Sequence, residues 1–321
     1  MASPLTLSIV IVTYNREQVL VDTISHLLLQ ARDCPAFREL LVVDQTQRHE
    51  PSVDEALKDW SEQGAIRWAR LAQPNLTQAM NFGLCHAHGE IVLFVDDDII
   101  PGPALLDMHL AAHSQHSDAW AVVGQVLQPG ERAEQLSYIP RGGRLRRYMD
   151  FPFRRTEGAF VENAMAGNLS VVREKAITIG GFDENFPPPV AARFESEFAK
   201  RLVGFGGKIW FEPSASILHL QATTGGTRSR GSHLSSASPI FGVGDYYFAL
   251  RQGQGWEKWW YILRKPFREV RTRFHLRHPW WIPVKLLGEL RAFTQAFALN
   301  AKGPQLLKGV DSNEYKGGAN Q

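Results

Sequence analysis

Three short apolar runs constrain this chain most. Leu7–Thr13 reads Leu-Ser-Ile-Val-Ile-Val-Thr, residues 39–43 read Glu-Leu-Leu-Val-Val, and Ile91–Val95 reads Ile-Val-Leu-Phe-Val. Each is short, rich in β-branched residues and without polar alternation, the pattern of a strand covered on both faces. Helical spacing fills the intervals. Val19, Leu20, Ile24, Leu27 and Leu28 recur at helical intervals, and residues 53–60 and 75–88 read as further helices, with a strand at 66–71. This alternation predicts an α/β fold, a mostly parallel central sheet with flanking helices, in which ligands sit beyond the carboxyl ends of the strands.

Those ends are polar. The first run stops at Thr13-Tyr14-Asn15-Arg16, the second at Asp44 and the third at Asp96-Asp97-Asp98. Adjacent carboxylates raise one another's pKa, and a hard cation such as Mg²⁺ or Mn²⁺ relieves that cost and can hold a diphosphate in turn. The plain alternative is an acidic loop after a strand. No Gly-x-Gly-x-x-Gly follows the first run and no Gly-x-x-x-x-Gly-Lys-Ser/Thr occurs, which argues against a dinucleotide site and a P-loop.

The 321 residues, 44% hydrophobic and 21% charged, are enough for one large or two modest domains with a real core. Two cysteines, Cys34 and Cys85, do not make a disulfide framework, and nothing resembles a zinc site, so a reducing compartment is the simpler reading. Neither a secretory signal nor a membrane-spanning run of apolar residues is evident, so a cytoplasmic location is expected.

The later chain adds further polar features. Arg141, Arg144, Arg146, Arg147, Arg154 and Arg155 form a basic stretch, read as a solvated loop or as a rim meeting an anionic acceptor. Ala166-Gly-Asn-Leu-Ser170 precedes a strand, and residues 194–205 read as a helix beginning with Glu195 and Glu197. Residues 208–211 and 216–220 read as two short strands, the second ending near His219. Thr223 to Pro239 is rich in Gly, Ser and Thr and carries Arg228 and Arg230, the composition of a mobile loop.

Taken together, Ser8-Ile-Val-Ile-Val-Thr-Tyr-Asn-Arg16, Val42-Val-Asp44, Asn81-Phe-Gly83, Phe94-Val-Asp-Asp-Asp98, Ala166-Gly-Asn-Leu-Ser170, Gly180-Gly-Phe-Asp183 and Phe194-Glu-Ser-Glu-Phe-Ala-Lys-Arg201 resemble family 2 glycosyltransferases across about residues 5–222. Each motif is weak alone; seven in order are jointly specific. The resemblance implies the GT-A fold and an inverting, metal-dependent transfer of a sugar from a nucleotide-diphospho-sugar, a UDP- or dTDP-sugar, using Mn²⁺ or Mg²⁺. It implies that Thr13 and Asp44 surround the base, with Asp44 accepting from an imide N–H. Asp98 would ligate metal, Asp96 would meet metal or ribose, and His219 would join the metal or diphosphate shell. Tyr14, Asn15, Arg16, Asn81 and Asp97 join the donor-binding set, Asp97 as its structural member. Gly167 and Asn168 would let the backbone approach the donor sugar.

Inversion needs one base to deprotonate the acceptor hydroxyl opposite the leaving diphosphate. Matching Arg201 to the family's helix arginine makes Glu195 that base, and a second register leaves Glu197. A helix start would keep this carboxylate ionised. Arg228 and Arg230 could fold over the diphosphate.

Three segments follow: a catalytic domain over 1–222, a mobile active-site loop over 223–240, and a basic, Trp-rich helical extension over 241–321. Residues 251–321 hold 13 Lys+Arg against 5 Asp+Glu, and five of the nine tryptophans. Trp280-Trp281 precede a stripe of Leu286, Leu290, Phe293 and Phe297, which could pack on the catalytic domain, form a homodimer or lie on a membrane surface. A saccharide or lipid-linked acceptor, in polysaccharide or glycolipid biosynthesis, fits the resemblance, as does peripheral attachment to the inner face of a membrane; nucleic acid is not an expected partner. A sugar-phosphate nucleotidyltransferase would need glycines after the first strand, which are missing, and the remaining alternative is a non-catalytic nucleotide-sugar-binding protein.

Overall fold

The computed structural model describes residues 5–140, 142–188, 190–226 and 232–308. Its strands are β1 (Leu7–Thr13), β2 (Phe37–Asp44), β3 (Arg67–Arg70), β4 (Ile91–Val95), β5 (Ile99–Pro101), β6 (Ala119–Leu127), β7 (Ala159–Val161), β8 (Asn168–Val172) and β9 (Lys208–His219). They form one sheet in the order β3-β2-β1-β4-β8-β6-β9-β5, with β7 paired to β9. Strands β1 to β4, β6 and β9 run one way, and β5, β7 and β8 run against them. The unbroken apolar runs lie in central strands and are buried along their length apart from Val12, as expected for strands covered on both faces.

Where two short strands were expected there is one, β9. Its partner β6 shifts register between Gly124 and Gln125, opposite Glu212-Pro213-Ser214-Ala215. Pro213 cannot donate to a ladder, and a bulge absorbs it without ending the strand. The continuation matters for function. Ile99 pairs with His219, and the Leu220 amide donates to the Asp98 carbonyl at 2.8 Å, so β9 brings His219 to the acidic corner.

Helices α1 (Gln18–Ala31), α2 (Pro51–Glu62), α3 (Leu76–His86), α4 (Leu105–Gln115), α5 (Arg173–Thr178) and α6 (Phe194–Gly204) flank the sheet. Helix α1 buries Leu20, Thr23, Ile24, Leu27 and Ala31 along one stripe. From that stripe, Thr23 Oγ1 donates to the Asp97 carbonyl at 3.2 Å and accepts the Ile99 amide at 3.1 Å, bracing the turn after β4. Phe182 stacks on Phe198 of α6 at 4.4 Å and meets Phe94 of β4 edge-on at 5.5 Å, so one aromatic contact sets α6 against the end of β4.

Four helices close the chain: α7 (Val243–Gln252), α8 (Gly255–Val270), α9 (Arg273–Arg277) and α10 (Trp281–Lys302). The hydrophobic core runs on into them without a break. Tyr246, Tyr247 and Phe248 of α7 are fully buried, and Tyr247 Oη donates to Asp183 at 2.7 Å. Gly244 lies against the Ala192 carbonyl, an approach that any Cβ would prevent. The expected α10 stripe divides: Phe293 packs edge-on against Tyr246 at 5.7 Å, while Leu286, Leu290 and Phe297 are exposed. After α10 the chain returns through Leu307, whose amide donates to the Gly180 carbonyl at 2.9 Å; residues 309–321 lie outside the described residues. No helix among the described residues is long and apolar enough to cross a membrane.

Candidate active site

A cavity of about 290 Å³ opens at the carboxyl ends of β1 and β4. On one side the turn from β4 to β5 carries Asp96, Asp97 and Asp98, and the three have different surroundings. Asp97 is buried: Thr13 Oγ1 donates to it at 2.8 Å and Arg16 Nε at 2.9 Å. Burial outweighs the Arg16 charge and pushes the Asp97 carboxyl up to about 7. Asp98 is also buried. His219 Nε2 lies 3.1 Å from its Oδ1, while the Ala222 amide and Arg16 Nη2 donate to its Oδ2 at 2.7 and 3.2 Å. Burial alone would raise the Asp98 carboxyl, but the His219 and Ala222 hydrogen bonds and nearby positive charge hold it below the usual range. Asp96 is the open member, its side chain 47% exposed and 3.7 Å from His219 Nε2.

The donor atoms of Asp96, Asp98 and His219 all lie within 4.8 Å of one another, close enough to ligate one ion. Two carboxylate oxygens suit a hard divalent cation, and the imidazole offers a third ligand atom. A Cβ on Gly167 would strike the Asp96 carboxylate, so glycine keeps the room that this side chain occupies.

Glu195 lines the same cavity from the first turn of α6. The Ala166 amide donates to its Oε1 at 2.8 Å. Burial pushes its carboxyl up to about 7; the Ala166 amide opposes the rise and the Asp96 charge adds to it. Desolvation therefore outweighs the helix-start effect expected from sequence. Before α6, Ala191 and Arg193 take φ of 41° and 72°, left-handed values uncommon for side chains larger than glycine. Arg193 is held there by Asp245 of α7, with Nε donating at 3.0 Å. Glu197 lies away from the cavity: it is fully buried, receives Arg201 Nε and Nη2 at 3.0 Å each, and receives Gln252 Nε2 at 3.0 Å.

Other predicted residues are placed less directly. Tyr14 lines the cavity, and Asn15, at φ 53°, donates its amide to Thr46 Oγ1 at 2.9 Å. Arg16 serves the aspartates as an internal counter-ion, and its guanidinium also donates to the Thr224 carbonyl. Asp44 is buried behind the cavity. His49 Nε2 lies 2.9 Å from its carboxylate, and Trp68 Nε1 and the Thr46 amide donate to it at 3.0 and 2.8 Å. Gln45, which the sequence reading passed over, lines the cavity instead; its Nε2 donates to the Gln73 and Asn75 carbonyls at 2.9 and 3.0 Å, leaving a carbonyl oxygen as acceptor. Its one signal in the sequence was its place directly after Asp44 at the end of the second apolar run.

Asn81 is buried and clamps Phe182, donating to its carbonyl at 2.8 Å and accepting its amide at 2.7 Å. Asn168 is buried at the start of β8, donating to the Ala215 carbonyl at 2.8 Å, with His109 Nε2 2.8 Å from its Oδ1. Arg228 and Arg230 lie outside the described residues.

A family model for glycosyl transferase family 2 matches residues 8–174, more than half of the chain. The chain belongs to this family. No curated protein sequence matches it significantly. Among solved structures, GalNAc-T7 with UDP, GalNAc and Mn²⁺ is 16% identical at a TM-score of 0.54, over 86% of this chain and 58% of that one. A mannosyltransferase from Pyrobaculum calidifontis in complex with GDP-Man and Mn²⁺ is 16% identical at 0.51, over 94% and 75%. TarS 1–349 of S. aureus is 15% identical at 0.55, over 92% and 83%. The chain thus spans 58% of the GalNAc-T7 chain, and at these identities the likeness is one of fold.

Proposed function

We propose that this family 2 chain is an inverting glycosyltransferase that moves a sugar from a nucleotide-diphospho-sugar to an acceptor hydroxyl in polysaccharide or glycolipid assembly. One observation carries the reading: Glu195 and the Asp96–Asp98–His219 group face a single cavity and are tied together by Ala166-Gly167. Glu195, pushed up to about 7, accepts the acceptor's proton near neutral pH. Asp96, Asp98 and His219 would hold Mn²⁺ or Mg²⁺, which supplies charge stabilisation for the leaving diphosphate. Thr13, Tyr14 and Gln45 receive the nucleotide. The Gln45 carbonyl oxygen suits the imide N–H of uracil or thymine, so a UDP- or dTDP-sugar is the donor. In this reading Arg16, Asp97, Asn81 and Asn168 hold the frame. Arg228 and Arg230 belong to the diphosphate side by sequence alone.

A screen of nucleotide sugars by thermal shift in the presence of Mn²⁺ tests the donor class. A ligand at one hundred times its Kd stabilises by about 2.7 kcal/mol, and UDP- or dTDP-sugars should raise the transition where GDP- and ADP-sugars do not. No shift with any nucleotide sugar would contradict the reading.

A further inference from the structure

Helix α8 is built inside out. Its inner face buries Lys265 as well as Tyr261 and Ile262, with the Lys265 ammonium 2.8 Å from the buried Glu289 carboxylate. Its outer face carries Trp256, Trp260, Leu263 and Phe267 at helical spacing, between 50% and 69% exposed. Eleven of the sixteen exposed large hydrophobic side chains among the described residues lie from Trp256 onward. A soluble surface helix usually turns such a stripe inward, so this one marks an interaction face.

Charge defines what it meets. Arg146, Arg264, Arg268 and Arg271 border the stripe, around a groove of about 830 Å³ between α8 and the 142–146 turn. Arg264 lies over the Trp260 ring at 5.1 Å, and Trp256 and Trp260 stack at 6.4 Å. Among the described residues no carboxylate pairs with Arg146, Arg264 or Arg271. The acid within this groove, Glu257, faces inward and accepts the Leu145 amide at 3.0 Å. We propose that this face of α8 docks on an anionic lipid bilayer, with the tryptophans and Phe267 entering the headgroup boundary and the arginines meeting lipid phosphates. A second copy of the chain would bring the same positive charge against it. A bilayer supplies apolar depth and negative charge together.

Docking is independent of the chemistry in the cavity, but the two are mechanically joined. Tyr261 Oη donates to Asp245 at 2.8 Å, and Asp245 in turn holds Arg193 in the turn before Glu195. A docked α8 therefore carries the cavity in a fixed relation to the membrane surface.

Sedimentation of the full chain with vesicles tests this without any assay of transfer. Vesicles of phosphatidylcholine with phosphatidylglycerol should carry the protein down at low salt, and pure phosphatidylcholine should bind it about tenfold less. The double substitutions W256S/W260S and R264E/R271E should each weaken binding about tenfold. Leu29→Ser, on an exposed apolar residue of α1, should change nothing. Unaltered melting of each variant confirms folding, and the comparison of lipid compositions needs no variant. The proposal is overturned if the intact chain stays in solution with anionic vesicles, or if R264E/R271E binds as well as the parent. It is equally overturned if sedimentation velocity shows a dimer that W256S/W260S dissolves while no lipid binds.

Discussion

Ala166 donates its amide to Glu195 Oε1 at 2.8 Å, and the next residue, Gly167, accepts the Asp96 amide at 3.3 Å. Two peptide units at the entry to β8 thus fix the candidate base beside the candidate metal group, although the two lie about a hundred residues apart in the chain. The arrangement has consequences that mutation and titration can read.

Glu195→Gln keeps the oxygen that receives Ala166 and removes the proton acceptor. Transfer should fall about 10²- to 10⁴-fold, with donor affinity unchanged by calorimetry. Loss of donor binding in step with transfer would argue that Glu195 only holds the loop.

Glu197→Gln should behave differently. It leaves the buried Arg201 without its charge partner, and breaking such a pair costs about 3–5 kcal/mol. Chemical denaturation should show that loss while activity per folded molecule persists. A stable but inactive variant would move the base to Glu197.

The pH dependence follows from burial of Glu195. With the folded value raised to about 7, transfer should climb through a single ionisation near neutrality and level off above it. The stability effect has the opposite slope. The raised value means that Glu195 favours the folded state fully below its ordinary 4.5, and that this contribution is lost as pH rises through about 7. The denaturation midpoint of the parent relative to Glu195→Gln should therefore decline across that window; a flat difference would mean that the carboxyl is not desolvated.

Gly167→Ala places a methyl group where Asp96 sits. Mn²⁺ affinity measured by titration should drop about 10- to 100-fold, the range for disturbed ligand positioning, with the melting temperature little altered. Undiminished Mn²⁺ binding would remove Asp96 from the ligand set.

Arg16→Gln tests the other half of the acidic corner. It strands Asp97 and Asp98 without their buried cation, and the chain should lose about 3–5 kcal/mol. Added Mn²⁺ should recover part of the melting temperature. A neutral substitution would mean that the aspartates are balanced by something else.

The central strands were legible because burial on both faces leaves a sequence signature that needs no partner information. The polar ends of β1 and β4 were legible for the same reason, since a strand that stops at charged residues has reached the rim of the sheet. Pairings were not. Nothing local in Arg16 indicates that it reaches back to Asp97 and Asp98, and nothing in Asn81 indicates that it grips Phe182, since both follow from tertiary packing. Asp44 and Gln45 illustrate the limit most clearly. Neighbours on a strand face opposite ways, so one residue of register decides which side chain meets the cavity. The two short strands expected at 208–211 and 216–220 are one, because pairing with β6 carries β9 through Pro213 on a bulge, which the residues between them do not announce. The outward stripe of α8 was hidden because periodicity alone does not say which face of a helix looks inward.

The most direct test is release of nucleoside diphosphate from a nucleotide sugar in the presence of acceptor and Mn²⁺. The parent protein should release it, excess chelator should abolish the release and restored Mn²⁺ should return it, and Asp98→Ala, correctly folded, should show none under any condition. Release that continues in chelator, or in Asp98→Ala, would contradict a metal-assisted transfer at the Asp96–Asp98–His219 group.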